Sequence, residues 1–116
     1  MTPNTETDTE QVDPCDLLSQ HKIEEFNAYR AAGKPCRVAG KDLHAMDLRK
    51  VDVSGVDFSG CLLDRANLCG LDLRSCTLDG ATLRDALIER TYFPASLDAA
   101  EIELSLKYGT RLRARP

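Results

Sequence analysis

The chain has 116 residues, of which 19 are acidic and 15 are Lys or Arg, giving a formal net charge of −4. This length predicts one small domain, and an aromatic content of 5% without Trp excludes a large core built from bulky side chains. Residues 1–13 hold four of the acidic side chains and no Lys or Arg, so the remaining 15 acidic side chains balance the 15 basic ones. A neutral body argues against a general polyanion-binding protein.

Compartment and metal content can also be predicted from composition. No apolar run is long enough to cross a membrane and no signal-peptide pattern begins the chain, so we expect a cytoplasmic protein without membrane contact. The five cysteines contain no CxxC pair and fit a reducing compartment. The two histidines have no clustered cysteines beside them, so neither a metal site nor a cofactor is predicted.

Residues 1–12 are polar, rich in Thr and acidic, and we expect them to form a disordered tail. Residues 13–35 are predicted to form one helix, because Asp13 suits an N-cap, Pro14 suits the first helical position, and Gly33 suits the end. An amphipathic helix before a repeat array is most simply a cap over the first repeat. The alternative is a helix that docks a partner.

Residues 36–93 repeat every five residues. A period of five matches neither the alternation of a strand nor the stripe of a helix, so each unit must turn the chain through a fixed angle, which predicts a β-solenoid. The third place of every unit is apolar: Val38, Leu43, Leu48, Val53, Phe58, Leu63, Leu68, Leu73, Leu78, Leu83, Ile88 and Phe93.

The units at 56–60, 66–70 and 71–75 read VDFSG, ANLCG and LDLRS. They resemble the repeats of the pentapeptide repeat family, whose pattern is Ala, then Asp or Asn, then Leu, then two variable residues. The resemblance implies an all-β solenoid: a right-handed quadrilateral β-helix with one unit per side and four units per coil. The array would then form about three coils, with an α-helix capping each end.

Stacking the units by twenties places the first and third residues of each unit in the interior and the others outside. Neighbouring coils should lie ~4.8 Å apart, the ordinary strand spacing. Gly40, Gly60 and Gly80 fall in one outward column, which predicts a bare, tightly turning corner. Cys69 holds an outward place and is the one exposed thiol expected in the array. Either it has no chemical role, or it has a redox or intermolecular role.

Residues 94–116 predict a second capping helix and a basic tail. Pro94 stops the repeat, Asp98 with Glu101 suits a capping box, and Gly109 suits the residue after a helix over about 99–108. The helix should plug the last coil, because an uncapped coil exposes backbone groups that pair with other chains. The tail is predicted to be solvated, and its basic residues are Arg111, Arg113 and Arg115.

Three outward carboxylates, Asp52, Asp57 and Asp72, form a candidate acidic face. Some members of the resembled family display such columns, imitate duplex DNA and bind bacterial type II topoisomerases, relieving quinolone poisoning. Three coils are short for that role, and basic residues interrupt the outward places. The structural alternative is that each second-place Asp supports its turn by hydrogen bonds to backbone amides.

Three outward apolar residues, Leu62, Leu87 and Tyr92, form a candidate interface. They take the place that usually holds Asp or Asn, so either a terminal helix or a second copy in a homodimer is expected to cover them.

We interpret the chain as a small bacterial, cytoplasmic, non-catalytic protein-interaction or scaffold module with an unknown protein partner. No nucleophile, general base or phosphate-binding loop converges anywhere in the sequence, so an enzyme is not expected. Direct nucleic-acid binding is not expected either. The topoisomerase modulator is the alternative function.

Overall fold

The computed structural model describes residues 17–18, 20–33 and 38–115. The acidic tail over 1–12 and the predicted helix start at Asp13 lie outside them. The described part contains helix α1 over Ile23–Ala31 and helix α2 over Ala99–Tyr108. Residues 38–93, between the helices, contain isolated β-bridges and turns but no continuous strand. None of the described helices is long and apolar enough to cross a membrane.

The predicted continuous helix over 13–35 is wrong in its middle. The Lys22 amide donates to the Leu17 carbonyl (2.8 Å) and the His21 amide to the Leu18 carbonyl (2.9 Å), which is the bonding pattern of a Schellman motif. His21 has φ 62°, a left-handed conformation that His adopts more readily than most residues. The chain therefore closes one helical turn without a glycine and begins α1 at Ile23.

The array stacks with a register of twenty residues. Parallel bridges join second-place residues twenty apart, and two of these columns have three levels. The pairs are Asp42 with Leu62, Asp47 with Asn67, Asp57 with Thr77, Leu62 with Thr82, Asn67 with Leu87, and Asp72 with Tyr92. The predicted columns thus describe the observed stacking.

The interior is filled by the predicted places. Every third-place residue from Val38 to Leu83 is buried, and so are the first-place residues from Met46 to Ala86. Two third-place residues differ: Ile88 and Phe93, in the last coil, are only partly buried. The core is therefore closed along the array and incomplete at its C-terminal end.

Two corners of the array use left-handed backbone in different ways. Gly40, Gly60 and Gly80 have φ of 77°, 70° and 82°, and a Cβ on Gly80 would lie 3.5 Å from the Gly60 nitrogen. That distance is an ordinary van der Waals contact, so glycine suits this corner by its left-handed conformation and not by lack of space. The column Ala45, Arg65 and Asp85 adopts φ near 60° without glycine.

Helix α1 closes the N-terminal edge of the array beside residues 50–54. Phe26 is fully buried, and burying such a side chain contributes ~1.5–3 kcal/mol. The Asn27 side chain donates to the Lys50 carbonyl (2.9 Å) and accepts from the Asp52 amide (2.7 Å). One side-chain amide thus takes the backbone bonds that a neighbouring strand would make.

Helix α2 lies on the other end of the array. Ser105, which is fully buried, accepts a hydrogen bond from the Leu83 amide (2.8 Å) and donates to the Thr110 carbonyl (2.6 Å). The Leu106 carbonyl accepts from the Asp85 amide (3.0 Å). These bonds continue the ladder where a further coil would otherwise lie.

The C-terminal segment is docked through its backbone and Leu112, so the prediction of a solvated tail is wrong for these groups, although Arg111, Arg113 and Arg115 are exposed. Leu112 is buried, accepts from the Gly80 amide (2.7 Å) and donates to the Ala81 carbonyl (2.8 Å). The predicted capping box is also wrong, because Glu101 binds the docked segment instead of the start of the helix. Glu101 binds the amide and guanidinium of Arg113, both at 3.1 Å, and Asp98 makes no side-chain cap bond.

Candidate interaction surface

Second-place Asp and Asn residues hold the turns of the array. In each, one side-chain oxygen accepts a hydrogen bond from the amide two residues later, at 2.9–3.2 Å. This is the bonding of an Asx-turn, and it supports the structural alternative for these carboxylates. The residues are Asp42, Asp47, Asp52, Asp57, Asn67 and Asp72.

Two of these carboxylates are also neutralised by arginine. Arg49 contacts both oxygens of Asp47 (2.9 and 2.7 Å), and Arg74 contacts both oxygens of Asp72 (2.9 and 2.8 Å). Hydrogen bonds from the arginine side chain and amide lower the pKa of each Asp carboxyl to about 2. Both carboxylates are ionised near neutral pH, but each is matched by a positive charge.

The candidate acidic face is therefore interrupted. Asp72 is paired with Arg74, whereas the Asp52 carboxylate accepts a hydrogen bond from the Ser54 amide. Asp57 lies in the neighbouring column, bridged to Thr77. Its hydrogen bonds with Ser59 lower the pKa of the Asp57 carboxyl. The three carboxylates share no continuous negative column.

The three residues of the candidate interface lie in three different columns. Leu62 is half-buried between Asp42 and Thr82, whereas Leu87 is 53% exposed and Tyr92 is 58% exposed. Leu87 and Tyr92 lie on successive sides of the last coil, and Leu62 lies one coil below on another side. No terminal helix in the described residues covers Leu87 or Tyr92, so that alternative is wrong for these two.

Tyr92 has one charged neighbour. The Arg74 guanidinium lies over its ring, 5.0 Å from the centroid, while also binding Asp72. This cation–π contact fixes the ring against the coil below. Tyr92 is therefore exposed on the side of the last coil that follows the side holding Leu87, and we call these two residues the last-coil patch.

The C-terminal end of the array is covered on one half only. Helix α2 and the docked segment bind backbone groups of residues 80–85. Among the described residues, none donates to or accepts from the backbone of residues 86–93 on the side away from the array. Ile88 and Phe93 are consequently half-buried, although their places in the repeat predict burial.

Sequence reasoning did not identify the two polar residues that close the ends. Ser105 is a small polar residue between Ile102 and Leu106 on the buried stripe of α2. A polar residue at such a position could have indicated that its hydroxyl binds a buried backbone group. Asn27 lies next to Phe26 on α1, but nothing in its spacing indicates that its amide replaces a strand.

Two of the described cysteines are buried in the interior of the array, and the third is partly exposed. The thiols of Cys61 and Cys76 donate to the carbonyls of Val38 (3.0 Å) and Val53 (2.9 Å), and burial raises the pKa of both thiols. Cys69 is half-buried on an outward place. The described residues contain no group of three or more His, Cys, Asp and Glu side chains able to hold a metal ion.

The chain matches one family model. Residues 54–90 match the model described as pentapeptide repeats, in eight copies, within the array predicted over 36–93. No curated protein and no solved structure matches the chain.

Proposed function

Because this chain is a pentapeptide repeat protein, we propose that it is a non-catalytic protein-interaction module whose partner binds the last-coil patch. The observation that carries the proposal is the exposure of Leu87 (53%) and Tyr92 (58%) at places that usually hold Asp or Asn. Exposed apolar side chains on neighbouring sides of one coil offer a partner apolar surface at fixed positions, as protein-binding surfaces do.

The proposal also includes the full architecture of the array. The array is a right-handed, four-sided β-helix of about three coils with a helix at each end. Support comes from parallel bridges between residues twenty apart and from turns recurring every five residues. Such a scaffold holds outward side chains in fixed columns and needs little rearrangement on binding.

The non-catalytic role rests on what the reactive side chains already do. Second-place carboxylates bind turn amides, and the Asp42 carboxylate also holds the His44 ring at 2.7 Å. The buried thiols of Cys61 and Cys76 bind carbonyls and have a raised pKa, which disfavours the reactive thiolate. Free cysteines also fit the reducing cytoplasm, where we propose that the protein works.

A capture experiment from a bacterial lysate tests this function. The immobilised wild-type chain should retain a protein that Leu87→Asp loses. Thr77→Asp is the matched control, because it introduces the same residue at an exposed second place in another column. Far-ultraviolet circular dichroism should show that both variants fold. A set of captured proteins identical for all three chains would contradict the proposal.

The alternative function, a topoisomerase modulator, predicts a different surface and a different assay result. A DNA mimic needs a continuous negative surface, and the pairing of Asp72 with Arg74 weighs against one here. We expect a purified type II topoisomerase to supercoil DNA normally over a wide range of added protein. Inhibition that is lost in Asp52→Asn and Asp57→Asn would establish the mimic instead.

A further inference from the structure

The docked segment, residues 111–115, lies in a groove with two walls. Residues 79–81 of the array form the first wall, and residues 95–101, which include the start of α2, form the second. We call the space between these walls the strand groove. Both walls belong to the body of the protein, so the groups that they present are available to any peptide of the same shape.

The first wall binds the backbone of alternate residues in the segment. The Leu112 amide donates to the Ala81 carbonyl (2.8 Å), and the Gly80 amide donates to the Leu112 carbonyl (2.7 Å). Two residues later, the Ala114 amide donates to the Asp79 carboxylate (3.1 Å). The first wall therefore binds residues 112 and 114 through main-chain groups, which every peptide carries.

The second wall binds the residues in between. The Arg113 amide donates to the Glu101 carboxylate (3.1 Å). The Arg115 amide donates to the Ser96 carbonyl (2.8 Å). Amides that point alternately to two sides are the pattern of an extended strand. The strand groove thus binds four consecutive amides of an extended peptide.

The strand groove also accepts one apolar side chain with basic side chains around it. Leu112 is 1% exposed and belongs to the hydrophobic core. The neighbouring arginines bind carboxylates or carbonyls of the two walls. The pairs are Arg111 with the Gly80 carbonyl (2.8 Å), Arg113 with the Glu101 carboxylate (3.1 Å), and Arg115 with the Asp98 carboxylate (3.0 Å) and the Ala95 carbonyl. The matching peptide therefore has an apolar residue between arginines.

The charge of the walls selects a basic occupant. Asp79, Asp98 and Glu101 all bind the docked segment. Neither wall contains a Lys or Arg. Since the chain after its acidic tail is neutral, this local excess of negative charge distinguishes the groove from the rest of the surface, and it attracts positively charged peptides.

The chain's own segment is held by few buried contacts. Leu112 is the one buried side chain among the described residues 111–115. The side chains of Arg113 and Arg115 are 81% and 60% exposed, and ion pairs at such exposed positions contribute little to stability. Residues 38–108 keep their own core when the segment leaves, because Leu112 is the one core side chain that it supplies.

An empty groove is nevertheless unfavourable. The Gly80 amide and the Ala81 carbonyl lose their partners when the segment leaves. So does the Glu101 side chain, which is 16% exposed with the segment bound. Unpaired groups at a strand edge are costly and favour pairing with another chain. We therefore expect the segment to leave mainly in exchange for another extended basic peptide.

We infer that the strand groove is a binding site for an extended peptide of another protein, in which an apolar residue lies between arginines. The docked segment occupies the site until such a peptide replaces it. A short tether gives the segment an effective concentration on the order of millimolar, so it acts as a built-in competitor. The groove does not include the last-coil patch, and the inference does not depend on the proposed function.

Fluorescence anisotropy with the full chain tests the inference. The probe is a labelled synthetic peptide, GTRLRARP, which repeats residues 109–116. Leu112→Asp frees the groove and should bind this probe at least roughly tenfold more tightly than the wild type, in which the tethered segment competes. A probe with Asp in place of Leu should bind neither chain. A probe that keeps the arginines and an apolar residue but changes the other positions should bind like the first, since the walls bind main-chain groups.

A matched pair of variants separates binding in the groove from general attraction to charge. Added to Leu112→Asp, Glu101→Gln removes a carboxylate of the groove and should weaken the probe at least roughly fivefold. Glu103→Gln removes the same charge from the exposed side of α2 and should leave the affinity unchanged.

Two variants keep the test independent of any single substitution. Arg113→Glu leaves Leu112 in place and opposes Glu101, so it should also open the groove while the core stays intact. Circular dichroism shows which variants fold. Folded variants that bind no probe, or that bind the Asp-containing probe equally well, would overturn the inference. A wild-type dimer that Arg113→Glu dissociates would overturn it as well, because the segment of a second copy would then be the occupant.

Discussion

The two ends of the array are covered in different ways. At the N-terminal end, α1 inserts Phe26 into the core and uses the Asn27 amide in place of a strand. At the C-terminal end, α2 and the docked segment satisfy one half of the edge and leave Ile88 and Phe93 half-buried. A repeat array must be closed somewhere to avoid indefinite pairing. The ends therefore differ in the third-place side chains beneath them, which are buried throughout the first coil and only half-buried at Ile88 and Phe93 in the last.

Truncating the aromatic residue at each end should give the largest effect and the sharpest comparison. Phe26→Ala should lower the free energy of unfolding by ~3–5 kcal/mol, because it leaves a cavity under α1. Phe93→Ala should cost roughly half as much in dilute protein, since part of that ring is already in water. Urea denaturation monitored by circular dichroism measures both. Equal losses would show that the ends are equally closed.

Removing the hydroxyl that continues the ladder at the C-terminal end should give the next largest effect. Ser105→Ala leaves the Leu83 amide and the Thr110 carbonyl without their partner, at a cost of ~1–3 kcal/mol. Ser75→Ala is the control, because Ser75 accepts a hydrogen bond from the Gly55 amide at an exposed site. Thermal unfolding should rank Ser105→Ala well below Ser75→Ala in stability. The opposite ranking would remove Ser105 from the closure of this end.

Opening the N-terminal edge should be milder in stability but should change association. Asn27→Ala removes two hydrogen bonds from half-exposed positions and should cost about 1 kcal/mol. It also frees the Lys50 carbonyl and the Asp52 amide, so the variant should form larger species than the wild type at high concentration. Light scattering after size exclusion measures this, with the exposed neighbour Ala28→Ser as control. An unchanged size distribution would show that α1 blocks the edge without Asn27.

Sequence reasoning was most successful where the chain repeats. The period of five and the stacking of residues twenty apart predicted which side chains fill the core, because residues in one column all point inward or all point outward. The bounds of α2 over 99–108 were also predicted, since Gly109 with φ 71° gives a local stop signal.

Prediction failed where distant residues decide. The turn at His21 uses a residue that rarely marks the end of a helix. Glu101 binds Arg113, twelve residues away, instead of capping the start of α2. Which residues of the last coil α2 leaves uncovered depends on where the helix comes to rest, and no local pattern encodes that position. The exposure of Leu87 and Tyr92 could be suspected from the sequence, but the partial burial of Ile88 and Phe93 beside them could not.

The smallest expected effect concerns the ion pairs along the sides, which should leave the difference between the two ends unchanged. The pKa of the Asp72 carboxyl is lowered to about 2 by Arg74, so its stabilising contribution is present above the ordinary value of 3.8 and is lost as the pH falls through about 2. Asp72→Asn keeps the turn bond, as Asn67 does one side earlier, but removes the ion pair.

Melting temperatures of the wild type and Asp72→Asn should therefore differ slightly at pH 7 and converge as the pH falls towards 2. Because both partners of the pair are more than half exposed, added salt should shrink the difference at pH 7 as well. A difference that persists at low pH would mean that Asp72 acts through its turn rather than its charge. The side columns would then stabilise the array by backbone geometry alone, as Asn67 does without any charge.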